Sequence, residues 1–266
     1  MIFDCFMLLD ELDMLTCRLI ELYDYVDAFI IVECGETHQG APKRSAYLAH
    51  EARFLPWRQK IIPIWVPKLR ATTAIERDQE QREAFRHGLE RVHAKPDDVV
   101  LQSDLDEIPS REAVRQVSTW LSMAPAVSFR QRLHCFAVDW EHPWGWNGPV
   151  AMRYGAIGSF SEMRERRSTA QQIAGGGHHL SWLGGRDATV RKIEAFAHPE
   201  ILNQRPDLVA QKNFLEGIHV DGVKMTPVDI DDSYPEFIKR SWDKGLDTPC
   251  IWRCPPNWFR ERKAMP

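Results

Sequence analysis

Three acids fall within four residues at Asp104, Asp106 and Glu107, directly behind the apolar run Val99-Val100-Leu101. In an extended chain, side chains two apart point the same way, so Asp104 and Asp106 would converge and repel. A hard divalent cation, Mg²⁺ or Mn²⁺, relieves that repulsion. Such ions, held by one or two carboxylates, also take substrate phosphates. The competing reading is a solvated acidic turn ahead of a helix that starts near Ser110. The apolar run, bounded by Pro96-Asp97-Asp98 and by Pro109, reads as a buried strand. Acids at the open end of such a strand favour the metal.

The surrounding elements must bring that strand end to a cleft. Glu11 to Leu22 carries Leu15, Leu19 and Leu22 on one helical face, with Asp13 as a possible cap. Val26 to Glu33 follows as a buried strand ending in an acid. Ile61 to Val66 is a strand whose Pro63 favours an edge or a bulge. Thr73 and Glu76 have capping-box spacing, and Gly88 closes that helix. Ser110 to about Met123 is helical, with Val114, Val117 and Leu121 together. Strand–helix alternation of this kind predicts an α/β fold with a mostly parallel sheet flanked by helices. Ligands of such sheets bind outside the carboxyl ends of the strands, where Glu33, Asp104 and Asp106 stand. After Val127 the pattern changes to short strands (Val127–Gln131 and His134–Val138) and to loops dense in Gly, Pro and Trp.

Composition sets bounds. At 266 residues, 44% hydrophobic and 27% charged, the chain reads as a soluble globular protein. We read it as one domain: a first half over about 1–123, a second half over about 124–225, and an irregular C-terminal wrap over about 226–266. A net charge of −4 without a basic tract argues against nucleic acid as a partner. No stretch has the length of a membrane span, and the start is a poor signal peptide. The six scattered cysteines, Cys250 and Cys254 included, fit reduced thiols and a cytoplasmic location.

Several stretches in consistent order resemble glycosyltransferase family 17, the family of the bisecting β-1,4-N-acetylglucosaminyltransferases. They are Asp4-Cys5-Phe6-Met7 with Asp10-Glu11-Leu12-Asp13 and Arg18; Ile31-Val32-Glu33 with Thr37-His38, Gly40 and Pro42-Lys43; Gln81-Arg82; Ser103 to Pro109; and His179-Leu180-Ser181-Trp182 with Gly184-Gly185, Lys192-Ile193 and His198-x-Glu200. His178 stands where a tryptophan is usual, and Asp78 where a glutamate is expected. The resemblance implies a GT-A-type fold, a UDP-sugar donor, a divalent cation and inversion at the anomeric carbon.

Under that resemblance the departing diphosphate gathers negative charge, which a bound cation would offset. Asp106 is assigned to the metal directly, and Asp104 to the ribose or to the metal through water. Glu107 orients neighbours or favours the following helix start. His179, in a glycine-rich segment, and His198 are the candidates for a third metal ligand. Asp187 is the candidate base, with Glu141 and Asp139 as competitors; as an alternative Asp187 is an N-cap. Glu33 and Thr37 would meet uracil and ribose, and Lys43, Arg82 and Arg153 would meet phosphates. Trp140, Trp144 and Trp146 form either an acceptor platform or a core cluster. The activity implied is metal-dependent transfer of N-acetylglucosamine from UDP-GlcNAc to a glycan hydroxyl. A metal-dependent phosphoesterase and a carbohydrate-binding module are the rivals.

Overall fold

The computed structural model describes residues 1–195, 217–219 and 221–243, with backbone alone at 185–187. The elements run β1 (Ile2–Met7), α1 (Leu12–Leu22), β2 (Ala28–Cys34), α2 (Ala46–Ala49), β3 (Ile61–Val66), α3 (Ala74–Glu83), α4 (Phe85–Arg91), β4 (Val99–Gln102), β5 (Glu107–Pro109) and α5 (Arg111–Trp120). They continue with β6 (Ala126–Cys135), β7 (Trp140–Arg153), α6 (Phe160–Glu165), β8 (Gln171–Ile173), β9 (Gly177–Ser181), α7 (Gly185–Ala195), β10 (Thr226–Pro227) and α8 (Glu236–Asp243).

One mixed sheet runs through both halves, in the order β3-β2-β1-β4-β7-β6-β9-β5, with β10 on β7 and β8 on β6. Strands β3, β2, β1 and β4 are parallel, and β7 joins β4 antiparallel. This is the helix-flanked, GT-A-type α/β arrangement expected. Buried on both faces, β2 alternates Phe29 and Ile31 toward a core with Leu15, Leu19 and Leu22, and Ile30 and Val32 toward one with Phe85, Leu89 and Phe160. Pro63 lies on the edge strand β3, where its missing N–H costs no ladder bond. Among the described residues no helix is long and apolar enough to cross a membrane. Cys5, Cys17, Cys34 and Cys135 are buried free thiols.

The curl of the sheet creates the site. Four interstrand steps separate β4 from β5 in the pairing order, about 19 Å if flat. Only residues 103–106 join the two strands, a reach of about 17 Å even when fully extended. The join is a turn, with the Glu107 N–H donating to Asp104 O. The sheet therefore bends until its far edge meets β4, and the acids sit where it closes.

Four elements differ from the sequence pattern. Thr73 and Glu76 do form a capping box, but the helix stops at Glu83 and Gly88 lies within α4. There a Cβ would stand 2.2 Å from Ile30 Cγ2, so glycine serves close helix–sheet approach. Asp13 is not the cap of α1, whose N-cap is Glu11 without a side-chain bond. The Trp-rich stretch is the long strand β7, and β6 is one strand with register shifts.

Candidate active site

The turn after β4 is held from below by Arg18 of α1, which has no exposed surface. Its guanidinium pairs with both oxygens of buried Asp4, at 2.6 and 2.8 Å. Nη1 also donates to the carbonyls of Asp104, Leu105 and Glu107 at 2.9, 3.1 and 3.0 Å, and Nη2 to Ser103 Oγ at 2.6 Å. Because residues 104–106 turn rather than extend, Asp104 and Asp106 do not share one partner, contrary to the extended-chain reading.

Each acid has a cation of this chain. Asp104 takes Arg82 at 3.0 Å and Arg164 at 2.8 Å. Glu107, fully buried, takes Arg164 at 2.6 Å and the Trp146 indole N–H at 2.6 Å. Asp106 takes Lys192 of α7 at 2.6 Å and lies 3.4 Å from His179 Nε2. Burial opposes the charged forms of both aspartates. It is outweighed by Arg164 and Arg82 at Asp104, and by Lys192 and His179 at Asp106, so both carboxyls are held well below the usual range. Side-chain cations thus relieve the repulsion that the sequence assigned to a metal.

A cavity of about 520 Å³ opens on this turn. Its lining brings together Thr37, Lys43, Arg82, Asp104, Asp106 and His179 of the sequence-predicted residues. It adds Arg164, Arg167, Lys192, Trp182 and His219, which sequence reasoning had not placed in the site. The basic run Arg164 to Arg167 was the available signal for the first two. Lys192 was quoted only as part of the Lys192-Ile193 stretch of the resemblance, without a role in the site. Trp182 takes φ +57°, a left-handed conformation costly for a bulky residue, which turns the chain out of β9 beside the cavity. Trp146 also lines it, 4.8 Å from the His179 ring and under the Arg167 guanidinium.

Other candidates stand elsewhere. Glu33 accepts from Lys43, Ser45 Oγ and the Ala46 and Tyr47 N–H groups. It anchors the start of α2 and is not in the cavity lining, so it is a scaffold for the Thr37 loop. Arg153 pairs across from Val99, at the other end of β4, and donates to Asp97 O. That placement takes it away from the phosphates. Glu141 is bound to Arg132 at 2.7 Å, and buried Asp139 is pushed up to about 6 by burial; neither lines the cavity. Trp140 belongs to a buried cluster with Phe136 and Trp182, while Trp144 is 64% exposed. Asp187 lies in the first turn of α7, its side chain outside the described residues, as is His198. His178 faces His134 and Tyr234 in the interior, so its departure from tryptophan alters packing behind the cavity.

Two groups of donors bear on a divalent cation. Asp106 with His179 fits one: the carboxylate suits Mn²⁺ or Mg²⁺, and His179 Nε2, 3.4 Å from it, offers a second donor to Mn²⁺. His142, His219 and Asp221 also bring possible ligand atoms within 4.8 Å of one another. There, however, the Trp144 N–H donates to His142 Nδ1, which leaves the ring proton on Nε2, 3.1 Å from Asp221. That nitrogen is a donor to Asp221 and offers no lone pair to a metal.

The profile of glycosyltransferase family 17 matches residues 1–239. The human β-1,4-mannosyl-glycoprotein 4-β-N-acetylglucosaminyltransferase is 28% identical over 140 residues, covering 50% of this chain and 26% of the relative. The rat protein of the same description gives the same figures, and the mouse protein is 27% identical over that length. The matched stretch spans about a quarter of the length of these relatives. Among solved structures, a mannosyltransferase from Pyrobaculum calidifontis in complex with GDP-Man and Mn²⁺ gives a TM-score of 0.42 at 14% identity, covering 80% of this chain and 69% of that one. A 4-diphosphocytidyl-2C-methyl-D-erythritol synthase gives 0.43 at 13% identity, covering 73% and 98%. The family's profile runs from the first strand into α8, and the chain belongs to glycosyltransferase family 17.

Proposed function

We propose that this chain transfers N-acetylglucosamine from UDP-GlcNAc to a glycan hydroxyl, with inversion at the anomeric carbon. The observation that carries the reading is the Asp-x-Asp turn opening on a cavity that also holds Arg82, Arg164, Arg167 and Lys192. A nucleoside diphosphate needs such cations, and the family membership supplies the reaction class. The curated relatives act on β-1,4-mannosyl glycoproteins by their description, so a β-mannoside is the acceptor of first choice. We place the reaction in the cytoplasm, which the buried free thiols suit.

In this mechanism the Thr37 loop and Lys43 receive the nucleoside, and Arg82 holds Asp104 toward the ribose. Asp106 and His179 would hold Mn²⁺ or Mg²⁺, which when bound neutralises charge on the departing diphosphate. Arg167 and Lys192 bind phosphate oxygens, Lys192 exchanging its pair with Asp106 for one with the donor. The indole and imidazole of Trp146 and His179 narrow the cavity and exclude water.

Release of UDP from UDP-GlcNAc, with and without p-nitrophenyl β-mannoside, tests the reading. Acceptor-dependent UDP and a new disaccharide are expected. UMP with N-acetylglucosamine 1-phosphate would mean a phosphoesterase, and glycan binding without product a binding module. Lys192→Met is expected to weaken UDP binding by roughly ten- to a hundredfold, the worth of one charged hydrogen bond. Calorimetric titration with UDP checks it, and unchanged affinity would remove Lys192 from the phosphates.

A further inference from the structure

An inverting displacement needs a group that accepts the proton of the attacking hydroxyl. Glu141 is committed to Arg132, and Asp139 is outside the cavity lining. His219, by contrast, lines it, with Nδ1 2.9 Å from Asp221 Oδ1 and its ring 6.4 Å from that of Trp182. Asp221 is itself fixed. Its Oδ1 accepts the Val223 N–H at 3.0 Å, and its Oδ2 lies 3.1 Å from His142 Nε2. The His142 proton is on that nitrogen, because Nδ1 already accepts from Trp144 N–H. His219 Nδ1 makes no aligned hydrogen bond, so the anchored Asp221 carboxylate acts on the imidazole through its charge at 2.9 Å.

We propose that His219, with the Asp221 carboxylate beside it, is the general base of the transfer. The acceptor hydroxyl gives its proton to His219 Nε2 while its oxygen forms the bond to the anomeric carbon. The bond from that carbon to the β-phosphate oxygen breaks, and its electron pair leaves with UDP. The imidazolium then returns its proton to water. Among the described residues, the charged and titratable groups that act on His219 are Asp221 on its own loop, His142 from β7 and His179 from β9. Burial sets the direction, lowering the imidazole below its ordinary value against the pull of Asp221, so the ring is neutral and able to accept a proton near pH 7.

The assignment rests on the transfer reading, and the test separates the two. Wild-type protein is assayed for UDP release from UDP-GlcNAc with p-nitrophenyl β-mannoside and Mn²⁺, beside His219→Ala, His219→Gln and Asp221→Asn. UDP affinity and thermal melting verify folding. Both His219 variants should lose about 10²–10⁴-fold in kcat with unchanged UDP affinity, and added imidazole should restore part of the loss in His219→Ala. In Asp221→Asn the acid limb of kcat/KM should move to lower pH, because the carboxylate that raises the imidazole is gone. Near wild-type kcat in folded His219→Ala or His219→Gln overturns the proposal, as does an acid limb unmoved in Asp221→Asn. A kcat loss in Asp187→Asn with none in His219→Ala overturns it and gives the base to Asp187. Absence of UDP release by the wild type would overturn the transfer reading, and the base with it.

Discussion

Asp106→Ala is expected to abolish transfer, with a loss of at least about 10²–10³-fold in kcat, the usual cost of removing a stabiliser of developing charge. The turn aims this carboxylate at the cavity beside His179, and no other acid of the turn shares both features. UDP binding should weaken in the presence of Mn²⁺. Without the ion it should hold or tighten, because Lys192 loses its 2.6 Å partner and becomes available to phosphate. Calorimetric titration with UDP, run with and without Mn²⁺, reads both signs. Stability should fall modestly: Lys192 is 24% exposed and keeps Glu11 at 3.6 Å. Removing one of several crowded acids would relieve repulsion only if they lacked partners, and each has one. Normal turnover of Asp106→Ala in metal-free buffer would sink the site assignment.

The parallel half of the fold was legible because its signals are local. Runs such as Ala28–Cys34 are apolar throughout, as strands buried on both faces must be. The Thr73 box declares a helix start. Strand β7 was hidden because Pro143, Gly145 and Pro149 read as turns. In the structure residues 143–145 bulge out opposite Arg132 alone, with Trp144 at the surface, while Gly148 admits the Gln131 side chain at a distance no Cβ would allow. The acids were legible as a cluster, but their partners were not. Arg164 lies 60 residues from Asp104 and Lys192 lies 86 from Asp106, so only tertiary closure of the sheet brings them together. Glu33 lies outside the cavity lining for the complementary reason. It does end a strand, but backbone N–H groups at the start of α2 claim its carboxylate first. His219 carried no pattern beyond one imidazole two residues before one acid, which is common by chance.

Arg18→Met is expected to be the most destabilising single change at the site. Breaking a buried ion pair by removing one partner costs about 3–5 kcal/mol, because the remaining charge is left uncompensated. Asp4, with no exposed surface, would be that charge. The loss is a large part of the 5–15 kcal/mol that usually holds a domain together, and urea unfolding should show a markedly lower midpoint. Stability and function can then be separated. Asp4→Leu with Arg18→Met removes both charges, an exchange that is often neutral or stabilising for buried pairs, so most of the lost midpoint should return. The carbonyls of Asp104, Leu105 and Glu107 would still lack the donor that holds the turn. Transfer should therefore remain impaired in the double variant, since a displacement of about 1 Å in such a group costs on the order of a hundredfold. Lysine would not substitute for Arg18, because a compact ammonium cannot span the Asp4 carboxylate, Ser103 and three carbonyls as the planar guanidinium does. Recovery of both stability and turnover in the double variant would mean that the turn holds its shape without Arg18. The pair with Asp4 would then be its whole role.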